Sequence, residues 1–415
     1  MRVAITGAAV LLPGSGRLAD FDTMLREGGN AFGAAELVPG HEPVPASLLG
    51  SFSVRDWADD HLGDDREAHR RLRRAAGRAA RPARTAACVA LAAARAARLS
   101  EKERSAATVI VAGNNLALGD QAGKVIRYAD DPGLVQPSHI LDVFDTDAVG
   151  TVSQTVGAHA EGFSVGGASA SGTVALAQAV RLVQAGFAAR CLVVAPVSEL
   201  SEIEVSAFLR SGAMSSYACR PFDVDRSGFL YGQGAAAVVL ERPEDAAERG
   251  VPVTAEVLGH GQRLDGHRGT KPNADGQVAA MCQAIATAGL TPDDIDYVNA
   301  HATGSALGDA TEADALHRVF GPSGHVRINA TKALTGHCLS AAGLVELVAT
   351  TLQMSGGYCH PNPWLDTPVR SDLRFVGTTA ETCEVRFALS NSFAFGGINS
   401  SVVLGHPQAQ KGEDR

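Results

Sequence analysis

The stretch Val109-Ile-Val-Ala-Gly-Asn-Asn-Leu-Ala-Leu-Gly-Asp120 can be laid without a gap over Val298-Asn-Ala-His-Ala-Thr-Gly-Ser-Ala-Leu-Gly-Asp309, and the last four residues of the two are identical. Each starts as a short apolar run and passes through small or polar residues to the same Ala-Leu-Gly-Asp end, which reads as strand, loop and helix start. Self-similarity of this kind marks a duplicated architecture. A second echo pairs the strand and Ala-rich helix around Ser169 with the strand and helix around His337. Two superposable halves that present their loops at one shared end would bring these four segments together.

Outward from the echoes, short β-branched runs alternate with Ala-rich segments along the whole chain, the mark of an α/β protein. Strands are expected at 3–5, 108–111, 191–195, 236–240, 297–300, 325–329 and 400–404. Helices are expected at 66–97, 171–185, 276–288 and 340–354. The charged, turn-rich segment Arg242-Pro-Glu-Asp-Ala-Ala-Glu-Arg-Gly marks the break between halves, giving expected units 1–245 and 246–408. The polar end beyond Pro407, with residues 409–415 as a tail, is expected to fray.

With 415 residues and 45% hydrophobic content the chain can bury a large core. Its formal net charge of -9 argues against a dedicated nucleic-acid binder, which needs a basic surplus. The seven cysteines are scattered without a Cys-x-x-Cys pair, and several lie in apolar runs, so reduced buried thiols in a cytoplasmic protein are expected. Met1 leads straight into the strand-like Arg2-Val-Ala-Ile-Thr6, so no export signal is expected, and no run of eighteen apolar residues is available to span a membrane. The thirteen histidines show no metal-ligand spacing.

Four stretches can carry chemistry. Phe163-Ser-Val-Gly-Gly-Ala-Ser-Ala-Ser-Gly-Thr-Val-Ala-Leu176 runs from a strand through small residues into a helix, which places Ser169 near free backbone N–H groups. The same run also reads as a serine cap in a packing turn. His301 follows an apolar strand and precedes Thr303, Gly304 and Ser305. Lys332 and His337 lie between a strand and a helix in Ile328-Asn-Ala-Thr-Lys-Ala-Leu-Thr-Gly-His-Cys-Leu-Ser-Ala-Ala-Gly343. Each alone has a bland structural reading; together, on strand-to-helix loops of a duplicated fold, they form a candidate site. Phe387-Ala-Leu-Ser-Asn-Ser-Phe-Ala-Phe-Gly-Gly-Ile-Asn399 is glycine-rich where a backbone must approach something closely, a pocket wall with Phe393 or Phe395 as gate.

These four stretches, with Arg220-Pro-Phe-Asp-Val-Asp-Arg-Ser-Gly-Phe-Leu-Tyr-Gly-Gln-Gly-Ala235, resemble in order the motifs of β-ketoacyl-ACP synthases, with Gln233 where a glutamate is usual. The resemblance covers essentially the whole chain. It implies a thiolase fold, αβαβα in five layers from two similar halves, and a homodimer. One departure stands out: Ser169 occupies the place of the family's acyl-accepting cysteine.

A serine hydroxyl is far harder to ionise than a thiol, so acyl transfer onto position 169 should slow severely. The histidines serve the other half-reaction. His301 and His337 can hold the enolate oxygen formed when a malonyl thioester loses carbon dioxide. In this respect the chain resembles the ketosynthase-like malonyl-ACP decarboxylases of polyketide β-branching cassettes, which also carry serine there. The resemblance implies that Ser169 is a hydrogen-bonding or space-filling residue and that Lys332 supports the charge network. It further implies that Thr303 and Ser305 contact the pantetheine amides, and that Phe393, Phe395 and Gly396 wall the substrate. No cofactor is implied beyond the phosphopantetheine arm of the carrier protein. A chain-length factor, a serine-based acyltransferase and a Cys-to-Ser form of a condensing enzyme stay open as alternatives.

Between Arg66 and Arg84 eight arginines face one acidic residue, Glu67. The resemblance implies that this helix docks an acidic carrier protein, so Arg70, Arg71, Arg73 and Arg74 are the candidate docking residues.

Overall fold

The computed structural model describes residues 2–322 and 324–409. Its main sheet has ten strands: β1 (Val3–Leu11), β2 (Thr108–Ala112), β3 (Gly162–Val165), β4 (Arg190–Ala195), β5 (Ala235–Glu241), β6 (Ala255–Leu264), β7 (Tyr297–Asn299), β8 (Arg327–Asn329), β9 (Phe387–Ala394) and β10 (Ile398–Gly405). Their order across the sheet is β8-β7-β9-β10-β6-β1-β5-β4-β2-β3. Counted outward from the centre, one half runs β1-β5-β4-β2-β3 and the other β6-β10-β9-β7-β8, so each strand of the first half has its counterpart five strands later. The strand senses agree as well. β2 lies parallel to β3 and β4, β7 lies parallel to β8 and β9, and the remaining pairs are antiparallel. A short antiparallel pairing of residues 3–5 with 255–257 joins the halves.

The helices of the layers include α1 (Arg66–Ala76), α2 (Arg81–Ala96), α3 (Thr146–Val156), α4 (Ser171–Gln184), α5 (Ala274–Thr287), α6 (Ala306–Phe320) and α7 (Ala342–Gly356). Three apolar cores hold the five layers together, the middle one enclosing the central helices. In the middle one, Leu176 and Val180 of α4 and Leu344 and Val348 of α7 pack between the two halves of the sheet. The outer cores hold α2 and α3 against the first half, and α5 and α6 against the second. β4 shows why its sequence is one unbroken apolar run: Cys191, Val193 and Ala195 enter the middle core, while Leu192 and Val194 enter the outer one.

The expected helix over 66–97 is two helices. Within a continuous helix Pro82 would remove a backbone hydrogen bond and collide with the carbonyl of Arg78, whereas at the start of α2 its missing N–H costs nothing. The end beyond Pro407 is not frayed as far as it is described. Ala409 is buried in the third core and its N–H reaches the His406 carbonyl at 2.8 Å; residues 410–415 lie outside the described residues. Among the described residues no helix is long and apolar enough to cross a membrane.

Candidate active site

The two halves meet where α4 and α7 begin. Gly172 and Gly343 make the approach possible. A Cβ on Gly172 would lie 2.7 Å from the Leu344 nitrogen, and one on Gly343 would lie 2.3 Å from the Thr173 hydroxyl. Each helix is entered through a single turn of tight helix, Ala168–Ala170 and Leu339–Ala341. The first residue of each turn has a positive φ, 46° at Ala168 and 52° at Leu339, a conformation that costs an L-residue about 1–3 kcal/mol and persists only when its surroundings hold it.

This crossing delivers Ser169 to His337. The Ser169 Oγ lies 2.8 Å from His337 Nε2. His337 is fixed by its backbone, whose N–H donates to the Leu230 carbonyl at 2.8 Å, and by the Phe229 ring packed edge-on at 5.1 Å. His301 enters from the end of β7, with its ring centroid 5.7 Å from that of His337 and the planes at 83°. Both imidazoles and Ser169 line one cavity of about 580 Å³, so the three groups face a common space.

Burial pushes both imidazoles well below the ordinary histidine value, and the Lys332 ammonium adds to the effect at each. Both rings are therefore neutral at pH 7 and carry one N–H apiece. The Nδ1 atoms of both are buried without a hydrogen-bond partner among the described residues. A proton on Nε2 leaves that orphan as a lone pair rather than an unsatisfied N–H, and it arms the nitrogen that in His337 faces Ser169.

Lys332 does not face the cavity. It is fully buried, and its ammonium donates to the Glu346 carboxylate and to the carbonyl of His301. Its place is under the site: it holds the loop of one histidine and, through its own short helix Lys332–Thr335, leads to the other. Its contacts are those of a support in the charge network and not of a group that touches substrate. Two carboxylates that the sequence reading did not single out pin the His301 loop. Glu312 accepts the N–H groups of His301 and Ala302 at 2.8 and 2.7 Å. Asp309 accepts those of Gly304 at 3.1 Å and Phe222 at 2.7 Å. Their spacing of three puts both on one face of α6, and Asp309 closes the very echo that revealed the duplication. Burial raises the Asp309 carboxyl to about 7, against the pull of the Phe222 N–H.

Thr303 and Ser305 line the cavity, although the Ser305 hydroxyl is engaged as the cap of α6 through the Gly308 N–H at 3.2 Å. Phe393 is buried with its ring 6.2 Å from His301. Phe395 is 44% exposed and leans toward Phe208 at 6.3 Å, so of the two candidate gates it is Phe395 that stands at the mouth. Gly397 rather than Gly396 belongs to the wall; Gly396 turns aside with its N–H on the Gly269 carbonyl at 3.2 Å. Cys338 and Cys219 come near, but neither lines the cavity, and burial raises both thiols to about 12.

On α1, Leu72 and Ala76 face inward while Arg70, Arg73 and Arg74 are exposed; Arg71 is half-buried and paired with Glu67 at 2.8 Å. Arg81 turns in to Glu199 at 3.1 Å, on the cavity wall. Among the described residues no cluster of three His, Cys, Asp or Glu side chains is placed to hold a metal ion.

Comparison with known proteins agrees with this geometry. The family model described as beta-ketoacyl synthase, N-terminal domain, matches residues 1–246, and that of the C-terminal domain matches residues 254–366. The polyketide biosynthesis malonyl-ACP decarboxylase PksF of Bacillus subtilis is 36% identical over 323 residues, 76% of this chain and 77% of its own. A 3-oxoacyl-[acyl-carrier-protein] synthase 2 of Staphylococcus aureus is 33% identical over 66% of this chain and 70% of its own. Among solved structures, the ishigamide ketosynthase/chain length factor superposes with a TM-score of 0.87 at 26% identity, covering 98% of this chain and 99% of its own. A beta-ketoacyl synthase from Burkholderia phymatum gives 0.84 at 28% identity, covering 98% of this chain and all of its own. With both domain models matched in order and the thiolase fold complete, the chain belongs to the beta-ketoacyl synthase family.

Proposed function

We propose that the protein decarboxylates malonyl-ACP to acetyl-ACP and does not condense, as expected of an acetyl donor system for polyketide β-branching. The observation that carries this reading is the pair of neutral, buried histidines facing one cavity beside a serine, with no thiol on the cavity wall. As the bond from the malonyl α-carbon to its carboxylate breaks, the electron pair moves onto the thioester oxygen. His301 and His337 donate their N–H groups to that oxygen inside the cavity. Protonation of the enolate carbon from solvent leaves an acetyl thioester, and nothing in the sequence of steps needs a nucleophile. The likeness to PksF supports the same reading.

The carrier protein approaches the exposed arginines of α1 and passes its phosphopantetheine arm over Thr303 and Ser305, with Phe395 at the mouth. A second copy of the chain covers Ile126, Ile140, Leu141 and Phe144, all more than half exposed, and the free edge of β3. A pairing of β3 with its copy satisfies that edge. A chain sedimenting as a monomer would overturn this part.

Two readings compete on specific grounds. The structural likeness to a ketosynthase/chain length factor suggests a non-catalytic partner subunit, and the 2.8 Å contact of Ser169 with His337 suggests an acyl-serine intermediate. Mass spectrometry of malonyl-ACP incubated with the protein separates all three. Acetyl-ACP with unmodified protein is the expected result. An acyl group on Ser169 would establish the transferase, and inertness until a separate ketosynthase is added would establish the partner subunit.

A further inference from the structure

Below the active site, on the second half, Tyr358–Cys359 and Glu381–Thr382 form a small antiparallel pair, and the N–H of Cys383 reaches the Gly357 carbonyl at 3.0 Å. This brings the sulfurs of Cys359 and Cys383 to 3.1 Å from each other although 24 residues separate them. Cys359 is fully buried, while Cys383 is 8% exposed. Around the outer thiol stand Arg327 and Arg374, which share Glu381 at 3.1 and 3.4 Å. The Cys383 thiol is held below its usual value by the hydrogen bond from Cys359, with the charge of Arg327 acting in the same sense; that same hydrogen bond, with burial added, pushes the Cys359 thiol far above its own. The inner cysteine is thus the proton donor of the pair and the outer one, 8% exposed, its nucleophile.

The pair also sits at the end of a buried polar network that underlies the catalytic loops. His360, next to Cys359, donates its backbone N–H to Gln353 Oε1 at 2.8 Å, and its Nε2 lies 3.0 Å from the Thr331 hydroxyl. Its Nδ1 contacts the Pro361 carbonyl at 2.8 Å, so the proton is on Nδ1 and Nε2 accepts from Thr331. Thr331 takes the Asn299 amide at 2.6 Å from the end of β7 and directly precedes Lys332. One peptide bond from Cys359, the foundations of His301 and His337 are therefore tied together.

We propose that Cys359 and Cys383 are a thiol–disulfide modification site, oxidised by low-molecular-weight disulfides and closing a clasp behind the second half's catalytic loops. The Cys383 thiolate attacks one sulfur of the small disulfide and expels a thiolate, leaving a mixed disulfide. Cys359 then gives its proton to solvent and attacks the Cys383 sulfur, expelling the second small thiolate. Two protein thiols are oxidised and one small disulfide is reduced to two thiols, so the step balances. Closing a loop of this length restricts the unfolded chain and raises the stability of the oxidised form.

The test uses full-length protein carrying Cys282→Ser, which removes the exposed competitor, in graded mixtures of oxidised and reduced glutathione, followed by alkylation and peptide mapping. The expected result is a peptide joined through Cys359 and Cys383, formed at a single redox midpoint, reversed by dithiothreitol and accompanied by a melting temperature higher by a few degrees. A glutathione adduct that stays on Cys383 overturns the proposal. So do two freely alkylated thiols under conditions that fully convert Cys282 in the unsubstituted protein. Cys383→Ala, at the outer position, should abolish the oxidant-dependent melting shift; the peptide map decides the matter even if a Cys359 variant fails to fold.

Discussion

Ser169 and Ser340 occupy the same place in the two halves. Each follows a residue of positive φ, each lies in a single tight turn, and each stands three residues before a glycine that lets α4 and α7 cross. Both line the cavity. Around them, however, the halves have diverged. Beside the histidines the first half brings small or neutral groups, Ser169 and Asn114, with Glu199 and Glu204 elsewhere on the wall; the second half brings His301 and His337 and, beneath them, Lys332 with the buried carboxylates Asp309, Glu312 and Glu346. Duplication has preserved the backbone device on both sides and placed the imidazoles and their buried ionic support in one. A site so divided should be fragile on its charged side and tolerant on its neutral one.

The largest effect is expected at Lys332. Lys332→Met leaves Glu346 buried without its cation, and removing one partner of a fully buried pair costs about 3–5 kcal/mol. The His301 loop loses its ammonium anchor at the same time, so turnover should vanish with stability. Denaturant unfolding of Lys332→Met and of Lys332→Met/Glu346→Leu distinguishes the two contributions. The double variant should recover most of the stability, because an apolar pair of similar volume replaces the ions, while remaining inactive. A single variant within about 1 kcal/mol of the parent would mean that the buried pair is not the keystone assigned to it.

Next come the imidazoles. His301→Ala and His337→Ala each remove one donor to the enolate oxygen, and loss of one such donor costs on the order of 10^2 to 10^3 in kcat. Single-turnover decarboxylation of malonyl-ACP reads this directly. Because both rings sit well below the ordinary histidine value, the rate should hold level as pH falls through about 6.5 and decline only at more acid pH. An acid limb centred near 6.5 would show that the rings are solvated in the working enzyme.

The same division explains what could be read from sequence. The echoes ending at Asp120 and Asp309 exposed the doubled fold because duplicated turns keep their small residues and glycines for backbone reasons, and these are local. His301 and His337 were legible because histidine is conspicuous on a segment between an apolar strand and a helix. The support beneath them was not. Lys332 reads as a loop cation until the fold places Glu346 of α7 against it, and nothing local says that Cys359 and Cys383 meet. Arg66–Ala97 read as one helix because alanine and arginine favour helix throughout; only Pro82, counted against the carbonyl of Arg78, marks the break. The glycine wall was placed one residue early, at Gly396, because neighbouring glycines look alike until the backbone shows which of them faces the cavity.

The smallest effect is expected on the neutral side, and it decides the chemistry. If Ser169 only accepts or donates one hydrogen bond at His337, then Ser169→Ala forfeits about 0.5–1.5 kcal/mol, which is at most about tenfold in decarboxylation rate. Loss of the nucleophile from a working serine–histidine pair would instead cost on the order of 10^6 in kcat. Four or more decades thus separate the two roles, too wide a gap for repacking to blur. Ser169→Cys probes the same position from the other side. It sets a thiol against an imidazole already in hydrogen-bonding range, and intact-protein mass spectrometry with acyl-ACP should then find an acyl adduct that the parent lacks. An adduct on the cysteine variant together with near-parental decarboxylation by the alanine variant would locate the loss of condensation in the side chain of residue 169 alone. The second half would then be a complete decarboxylation apparatus that needs from the first half only the turn on which that residue stands.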